Sequence, residues 1–212
     1  MIERLNRLII FPIAFLIALL LNSCESKLNF SDEDHLRAFL VEEDNGLIKT
    51  RQHMGYRFEV SYVPPDMLVN LDVKSLHNKN PDIDSLRKKY SRHYYFQLSM
   101  TRNGDAIDRN LQGGISQYRV LKNKLIYGLY DQIFMSTKNS DSIGITDYIY
   151  PRLYGLNHST NILFFFNKEE VLADDKILVV NLKDVGINNR KLKFQFNLEK
   201  IQRNMEIDFN KN

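Results

Sequence analysis

Few residues of the chain stand at spacings that catalytic chemistry requires. A serine nucleophile on a sharp strand-to-helix turn needs glycine two residues before and two residues after it, because larger residues do not fit the turn. Gly114 precedes Ser116 at that spacing, but Tyr118 occupies the second position. Glycine-rich phosphate-binding and dinucleotide-binding patterns are absent from the sequence. The sequence therefore predicts neither a nucleophile of this type nor a nucleotide site.

Metal-ligating side chains are present, but their spacing does not indicate a metal site. No pair of histidines has the His-x-x-x-His spacing that places two ligands on one helix face; the five histidines are His35, His53, His77, His93 and His158. The polar segment 139–144 has some calcium-loop character, but Ile143 takes a ligand position and Tyr150 replaces the bidentate glutamate. We therefore predict no metal and no cofactor.

The N-terminal segment has the layout of an export signal. Arg4 and Arg7 precede an uncharged apolar run over residues 8–21. A helix that spans a bilayer needs about 20 apolar residues, whereas this run is shorter and contains the helix breaker Pro12. Soon after the run comes Cys24, the only cysteine, so no disulfide can form within the chain. The pattern favours a cleaved signal peptide over residues 1–23 rather than a permanent membrane span.

The residues Leu21, Asn22, Ser23 and Cys24 resemble the lipobox of bacterial lipoproteins. Asn22 departs from the alanine, serine or threonine that more often stands at its position. In that family the cysteine thiol receives a diacylglyceryl group, the leader is cut off before the cysteine, and the new amino terminus is acylated. The resemblance implies that Cys24 is the lipid attachment site and the first residue of the mature protein. An uncleaved anchor, or a chance cysteine after a hydrophobic helix, is the other interpretation.

The same resemblance implies a place in the bacterial cell envelope and a membrane partner through the lipid. Glu25 and Ser26 follow the cysteine instead of the aspartate that commonly retains lipoproteins at the inner membrane, so the outer membrane is favoured. Residues 24–30 are short and polar, and they predict a tether. Two short patterns, at residues 84–86 and 141–143, resemble O-glycosylation sites of exported Gram-negative proteins and imply glycosylation of Ser85 and Ser142.

Charge and size limit the class of protein further. The formal net charge is +3, and the basic residues are scattered along the sequence, so no nucleic-acid partner is predicted. The densest basic cluster, at residues 87–92, is explained by the solvated face of a helix. Without the leader, the chain is long enough to bury one substantial core. We predict one α+β domain over residues 31–203 and a frayed tail over residues 204–212.

Helices are predicted at four places. Ser31 and Asp34 have the form of a capping box, and Asp32 and Glu33 add negative charge at the positive end of the helix dipole. The remaining helices are predicted to begin at Pro65, at Asn80 with Pro81, and at residue 113, the last of them ending near residue 123.

Strands outnumber helices in the sequence. Residues 47–53 and 56–63 predict a hairpin, and strict alternation of apolar and polar residues predicts strands over 94–101 and 192–198. Further strands are predicted over residues 125–137, 147–154, 161–166 and 176–182. Because regular strand-helix-strand alternation is absent, the prediction is an α+β fold with a mainly antiparallel sheet or sandwich and a few short helices.

One predicted edge strand carries a candidate binding surface. Alternation along residues 147–154 places Ile149, Pro151 and Leu153 on one face. If those aliphatic residues face the core, the outer face presents a ligand or partner patch: Tyr148, Tyr150, Arg152 and Tyr154. Tyrosine and arginine are enriched at binding sites, and aromatic planes also suit sugar rings. The alternative is that these tyrosines cap the rim of the core.

Three functions are compatible with these observations. The first is a membrane-tethered, non-catalytic binding or assembly module with an envelope protein or glycan as partner. The second is an envelope hydrolase whose catalytic residues converge only in the folded chain. The third is a structural lipoprotein within a larger envelope complex.

Overall fold

A computed structural model describes residues 27–75, 80–107, 114–150, 158–187 and 190–209. The helices in these ranges are α1 (Glu33–Val41), α2 (Pro65–Ser75), α3 (Ile83–Tyr90), α4 (Gly114–Tyr127) and α5 (Leu198–Gln202). The strands are β1 (Leu28–Phe30), β2 (Ile48–His53), β3 (Tyr56–Val63), β4 (His93–Arg102), β5 (Asp105–Ala106), β6 (Ile133–Ser136), β7 (Ile143–Gly144), β8 (Asp147–Ile149), β9 (Thr160–Asn167), β10 (Ile177–Leu182), β11 (Leu192–Asn197) and β12 (Met205–Ile207). The predicted α+β fold, rich in antiparallel sheet, is confirmed.

The larger sheet has the strand order β2-β3-β4-β9-β8, with β5 beside β4, and all of its neighbouring strands are antiparallel. The predicted hairpin is present: Met54 and Gly55 both adopt positive φ at the turn between β2 and β3. Along β3 the apolar residues Phe58, Val60 and Tyr62 are buried, while their neighbours are more exposed. The alternation in sequence therefore directs one face of this sheet into the core.

The smaller sheet has the order β11-β10-β6-β7 and is also antiparallel. The predicted central strand is β10, which pairs on both sides, and the alternating strand is β11. Phe194 and Phe196 of β11 are buried against the larger sheet, where the Phe196 ring centroid lies 5.2 Å from that of Phe96. One hydrophobic core is thus built from the inner faces of both sheets.

The two sheets approach each other at both edges. On one side β2 lies beside β11. On the other side the chain passes directly from β7 in the smaller sheet to β8 in the larger one. Ile145 is buried at this crossing, and the Thr146 amide donates to the Phe165 carbonyl of β9 at 2.8 Å. Short strands at this crossing explain why sequence periodicity is weak there.

The first and last described strands form a separate two-stranded parallel sheet, in which β1 pairs with β12. The prediction that residues 204–212 fray is therefore wrong for Met205–Ile207, and the predicted tether over 24–30 is wrong for Leu28–Phe30. Met205 and Ile207 are 4% and 2% exposed, so burial of their side chains holds this strand in place. A strand of three residues is too short to produce a visible alternation in sequence.

Three helix boundaries differ from the predicted ones. Asp32 rather than Ser31 caps α1, since its carboxylate accepts the His35 amide at 2.9 Å. Asp82 rather than Asn80 caps α3. Helix α4 continues to Tyr127, because Leu121 and Leu125, one turn apart, are both buried, so residues 125–127 are helical and not extended. None of the helices in the described ranges has the length and apolar character needed to cross a membrane.

Candidate functional site

The predicted patch residues Tyr148 and Tyr150 lie in and just after β8, whereas Arg152 and Tyr154 lie outside the described residues. The predicted orientation of this strand is wrong at its first apolar residue, because Ile149 is 54% exposed. Tyr148 instead packs against the core, and its hydroxyl donates to the Ile126 carbonyl at 2.6 Å. The Tyr148 ring is larger than the Ile149 side chain, and its hydroxyl is hydrogen-bonded, so turning Tyr148 toward the core stabilises the fold more than turning Ile149 inward would.

The structure brings two further tyrosines to the same place. Tyr127 ends α4, Tyr130 follows in the loop before β6, and both rings lie beside those of Tyr148 and Tyr150. We call this site the tyrosine groove: an open depression of about 370 Å³ lined by Ile126, Tyr127, Tyr130, Asp147, Tyr148 and Tyr150. The groove contains Tyr148 and Tyr150 of the patch predicted from sequence.

Ring contacts and hydrogen bonds hold the groove residues in place. The rings of Tyr130 and Tyr148 meet edge to face with centroids 5.1 Å apart. The Tyr130 hydroxyl donates to Asp147 Oδ1 at 2.7 Å, and the same oxygen accepts the Tyr148 amide at 2.7 Å. Bonding to the carboxylate raises the pKa of Tyr130, and burial raises the pKa of Tyr148. Both phenols therefore stay protonated at neutral pH.

Lys122 supplies a positive charge at one side of the groove. It lies one helical turn after Tyr118 in α4, and its ammonium is 5.4 Å from the ring centroids of both Tyr118 and Tyr150. Burial lowers the pKa of Lys122, but hydrogen bonding to Tyr118 and the proximity of Tyr150 raise it by more, so the net shift is upward. The side chain therefore keeps its charge beside the aromatic rings.

The groove offers aromatic surface, hydrogen-bonding groups and both signs of charge to a ligand. Tyr127 and Tyr130 are 73% and 51% exposed, which is unusual for such large side chains, while Tyr148 and Asp147 support them from below. Flat, partly apolar molecules that also carry hydroxyl groups match this surface. Sequence reasoning missed Tyr127 and Tyr130 because residues 125–137 were predicted to be one extended segment.

A second cavity, of about 600 Å³, lies between α1, α2 and α3 and is lined by three acidic residues, two of which hold the fold together. Asp32 caps α1, and Glu33 bonds to Asn70, Lys74 and Arg37. Within the described ranges no three His, Cys, Asp or Glu side chains are grouped so as to hold a metal ion. The third acid, Asp34, lies in the first turn of α1, so the acids of this cavity are adjacent residues of one helix start.

The other residues singled out by sequence lie apart from the groove. Ser85 is in the first turn of α3, where its hydroxyl donates to the capping carboxylate of Asp82 at 2.8 Å. Ser142 is exposed just before β7, and Ser116 is exposed on α4. Cys24 lies outside the described residues.

Comparison with known proteins adds little to this geometry. No protein-family model matches the chain, and no curated protein matches it. A crystal structure of a novel protein of unknown function from Burkholderia pseudomallei K96243 is similar at a TM-score of 0.39 and 8% sequence identity, covering 78% of this chain and 86% of that one.

Proposed function

We propose that the mature protein is a non-catalytic binding module, held at the bacterial cell envelope by lipid on Cys24, and that its tyrosine groove binds a saccharide. The observation that carries the binding role is the exposure of the Tyr127 and Tyr130 rings beside Asp147, on a surface fixed by the Tyr148 hydrogen bond. The observation that supports the location at the cell envelope is the apolar leader followed by the residues Leu21 to Cys24.

The physical role of the lipid is durable attachment. Each buried methylene contributes about 0.8 kcal/mol, and one acyl chain alone gives only marginal, reversible binding to a membrane. Diacylglycerol on the thiol together with an acyl chain on the amino group makes the attachment stable. The described domain begins at Leu28, so the tether between the lipid and the first strand is only a few residues long.

A saccharide fits the groove better than a purely apolar ligand does. Each exposed ring can cover one apolar face of a sugar, while Asp147 can accept and Lys122 can donate hydrogen bonds to hydroxyl groups at the edge. The depression is open and shallow, as expected for contact with part of an extended polymer rather than for enclosure of a small molecule.

Substitution of Cys24 tests the proposed lipid attachment and membrane location. In cells labelled with palmitate, the wild-type protein should carry label and fractionate with the outer membrane, and Cys24→Ala should carry none, because no other residue of the chain is a cysteine. Ser23→Ala, which keeps a small residue before the cysteine, is the matched control and should remain labelled. An unlabelled wild-type protein would refute the anchor.

Loss of the two exposed rings tests the binding site. On an array of immobilised envelope oligosaccharides, Tyr127→Ala combined with Tyr130→Ala should weaken retention by about tenfold or more, since each aromatic contact contributes about 1 kcal/mol. Leu172→Ala removes a comparably exposed apolar side chain (54%) away from the groove and should bind as wild type. Retention unchanged by the tyrosine substitutions, or absent from the wild-type protein on every saccharide, would exclude the groove as a glycan site.

A further inference from the structure

The largest depression near the chain ends is a cavity of about 730 Å³ between α3, α5 and β12, at the point where β3 leaves the larger sheet. Tyr62 of β3 and Tyr94 of β4 line it from the core side, and each is only 3% exposed. We call it the basic cavity, because Arg87, Lys88, Lys168 and Arg203 also line it.

Positive charge in the basic cavity exceeds negative charge. The acids that line it are Asp66 and Glu206. Asp66 is paired with Arg87 at 2.7 Å, and Glu206 lies 3.1 Å from Arg87 and 2.7 Å from Lys27, so two cations already balance these two acids. Lys88 and Arg203 remain as additional positive charges, and the Lys168 ammonium lies 5.1 Å from the Tyr94 ring centroid. In the described part of the chain, neither Lys88 nor Arg203 has an ion-pair partner.

The hydroxyl groups at the base of the basic cavity are available as donors. Among the described residues, none forms a hydrogen bond with the Tyr62 hydroxyl, although the side chain is almost fully buried. The Tyr94 hydroxyl accepts from Gln202 Nε2 at 3.2 Å, which leaves its own proton free to donate. Burial raises the pKa of both phenols, so both remain protonated over the physiological range.

The Tyr62 hydroxyl lines the basic cavity without a hydrogen-bond partner in the described part of the chain, so a bound ligand oxygen can accept from it without displacing a protein group. Two phenol donors beneath guanidinium and ammonium groups are matched by a ligand with several anionic oxygens. Phosphate meets that requirement with three or four oxygens, and arginine binds it in a planar, two-bond geometry. An apolar or cationic ligand would leave these donors unpaired.

The position of the basic cavity relates it to the chain's N terminus. Lys27, whose ammonium pairs with Glu206 at the cavity, is three residues after Cys24. Three extended residues span at most about 11 Å. If Cys24 carries lipid, as proposed above, the cavity is held close to the headgroup layer of the membrane.

We propose that the basic cavity is a phosphate-binding site, for the phosphate of a lipid headgroup at the anchoring membrane or for a soluble phosphate. The lipid source rests on the proposed anchor, whereas the site itself does not. Arg203 and Lys88 provide the charge, and the hydroxyls of Tyr62 and Tyr94 donate to phosphate oxygens.

The test uses the purified full-length mature protein in neutral detergent micelles, titrated by calorimetry with inorganic phosphate and, separately, with micelles containing phosphatidic acid. We expect saturable binding that Arg203→Gln weakens about tenfold and Tyr62→Phe weakens less. Lys193→Gln removes the same charge from an exposed position on β11 that does not line the cavity, and it should bind as wild type. Tighter binding of phosphatidic acid than of phosphate identifies a headgroup site, and equal binding identifies a soluble phosphate.

Two results would overturn the proposal: no saturable binding of either probe, or equal weakening by Arg203→Gln and Lys193→Gln, which would mean that only net charge matters. Urea unfolding of each variant separates loss of binding from loss of fold. The intact mass of the same preparation shows whether Cys24 carries lipid. If the protein carries no lipid but still binds phosphate, the proposed anchor is refuted, whereas the proposed phosphate site is not.

Discussion

Replacing Asp66 with alanine is expected to lower the free energy of unfolding by about 3–5 kcal/mol, because it leaves a charged partner and an amide without their acceptor in a largely buried site. Asp66 is 3% exposed at the start of α2. Its two oxygens accept from Arg87 Nε and Nη2 at 3.0 and 2.7 Å, and the Ile207 amide donates to the second oxygen at 2.7 Å.

These bonds join three parts of the chain that are distant in sequence. Arg87 of α3 also donates to the Ile207 carbonyl at 3.0 Å, so one carboxylate and one guanidinium satisfy both backbone groups of a residue in β12. Without the carboxylate, the Ile207 amide loses its acceptor, and the Arg87 guanidinium keeps only Glu206 and the Ile207 carbonyl as partners. We therefore expect β12 to separate before the sheets unfold.

Urea unfolding followed by circular dichroism measures this effect. The matched control is Asp72→Ala, which removes a carboxylate of the same helix that pairs with Lys89 at 2.8 Å near the surface. Exposed pairs contribute about 0–1 kcal/mol, so the control should be close to wild type. Equal destabilisation by the two substitutions would show that burial of the Asp66 pair is not what makes it strong.

Replacing Phe96 with alanine is expected to destabilise the protein by about 3–5 kcal/mol, the usual cost of removing a buried aromatic ring and leaving a cavity. Phe96 is fully buried in β4 at the centre of the larger sheet. Its ring lies 5.2–6.1 Å from the rings of four other residues: Tyr62, Phe164, Phe166 and Phe196. Because Phe196 belongs to the smaller sheet, the substitution also weakens the packing between sheets.

A phenylalanine that is only partly buried provides the control. Phe134 of β6 lies beneath the ammonium groups of Lys183 and Lys191, at 5.3 and 4.5 Å from its ring centroid. Phe134→Ala should cost about 1 kcal/mol, because it loses cation–π contact and partial burial without opening a core cavity. Thermal or urea unfolding compares the two. A Phe96 variant as stable as the Phe134 variant would contradict the assignment of the core.

The long, regular elements were predictable because one face of each is buried over many residues. In β3 and β11 the alternation of apolar and polar side chains follows directly from one-sided burial, and β4 alternates in the same way after Phe96. The short strands β7, β8 and β12 have two or three residues each, and their position depends on contacts with distant segments. No local pattern can report those contacts, so the crossing between sheets and the terminal strand were missed or misread.

The candidate sites were predictable only in part, for the same reason. Tyr148 and Tyr150 were identified from composition and alternation, but the outward position of Ile149 was not, since it depends on the hydrogen bond between Tyr148 and Ile126. The basic cavity combines Tyr62 with Arg203, which are 141 positions apart in the sequence. The two residues belong to no common sequence motif, and only the folded chain brings them together.

The pairing of β1 with β12 determines how a force applied to the N-terminal end is transmitted into the domain. A pull on the N-terminal end reaches β1 first, through the Lys27 pair with Glu206 and the bond from the Leu28 amide to the Asn204 carbonyl. From β12 the load passes to Asp66 and Arg87, and so into α2 and α3 rather than directly into the sheets. The three-residue strand is therefore the weakest link: under tension it should separate first, while the two larger sheets stay folded.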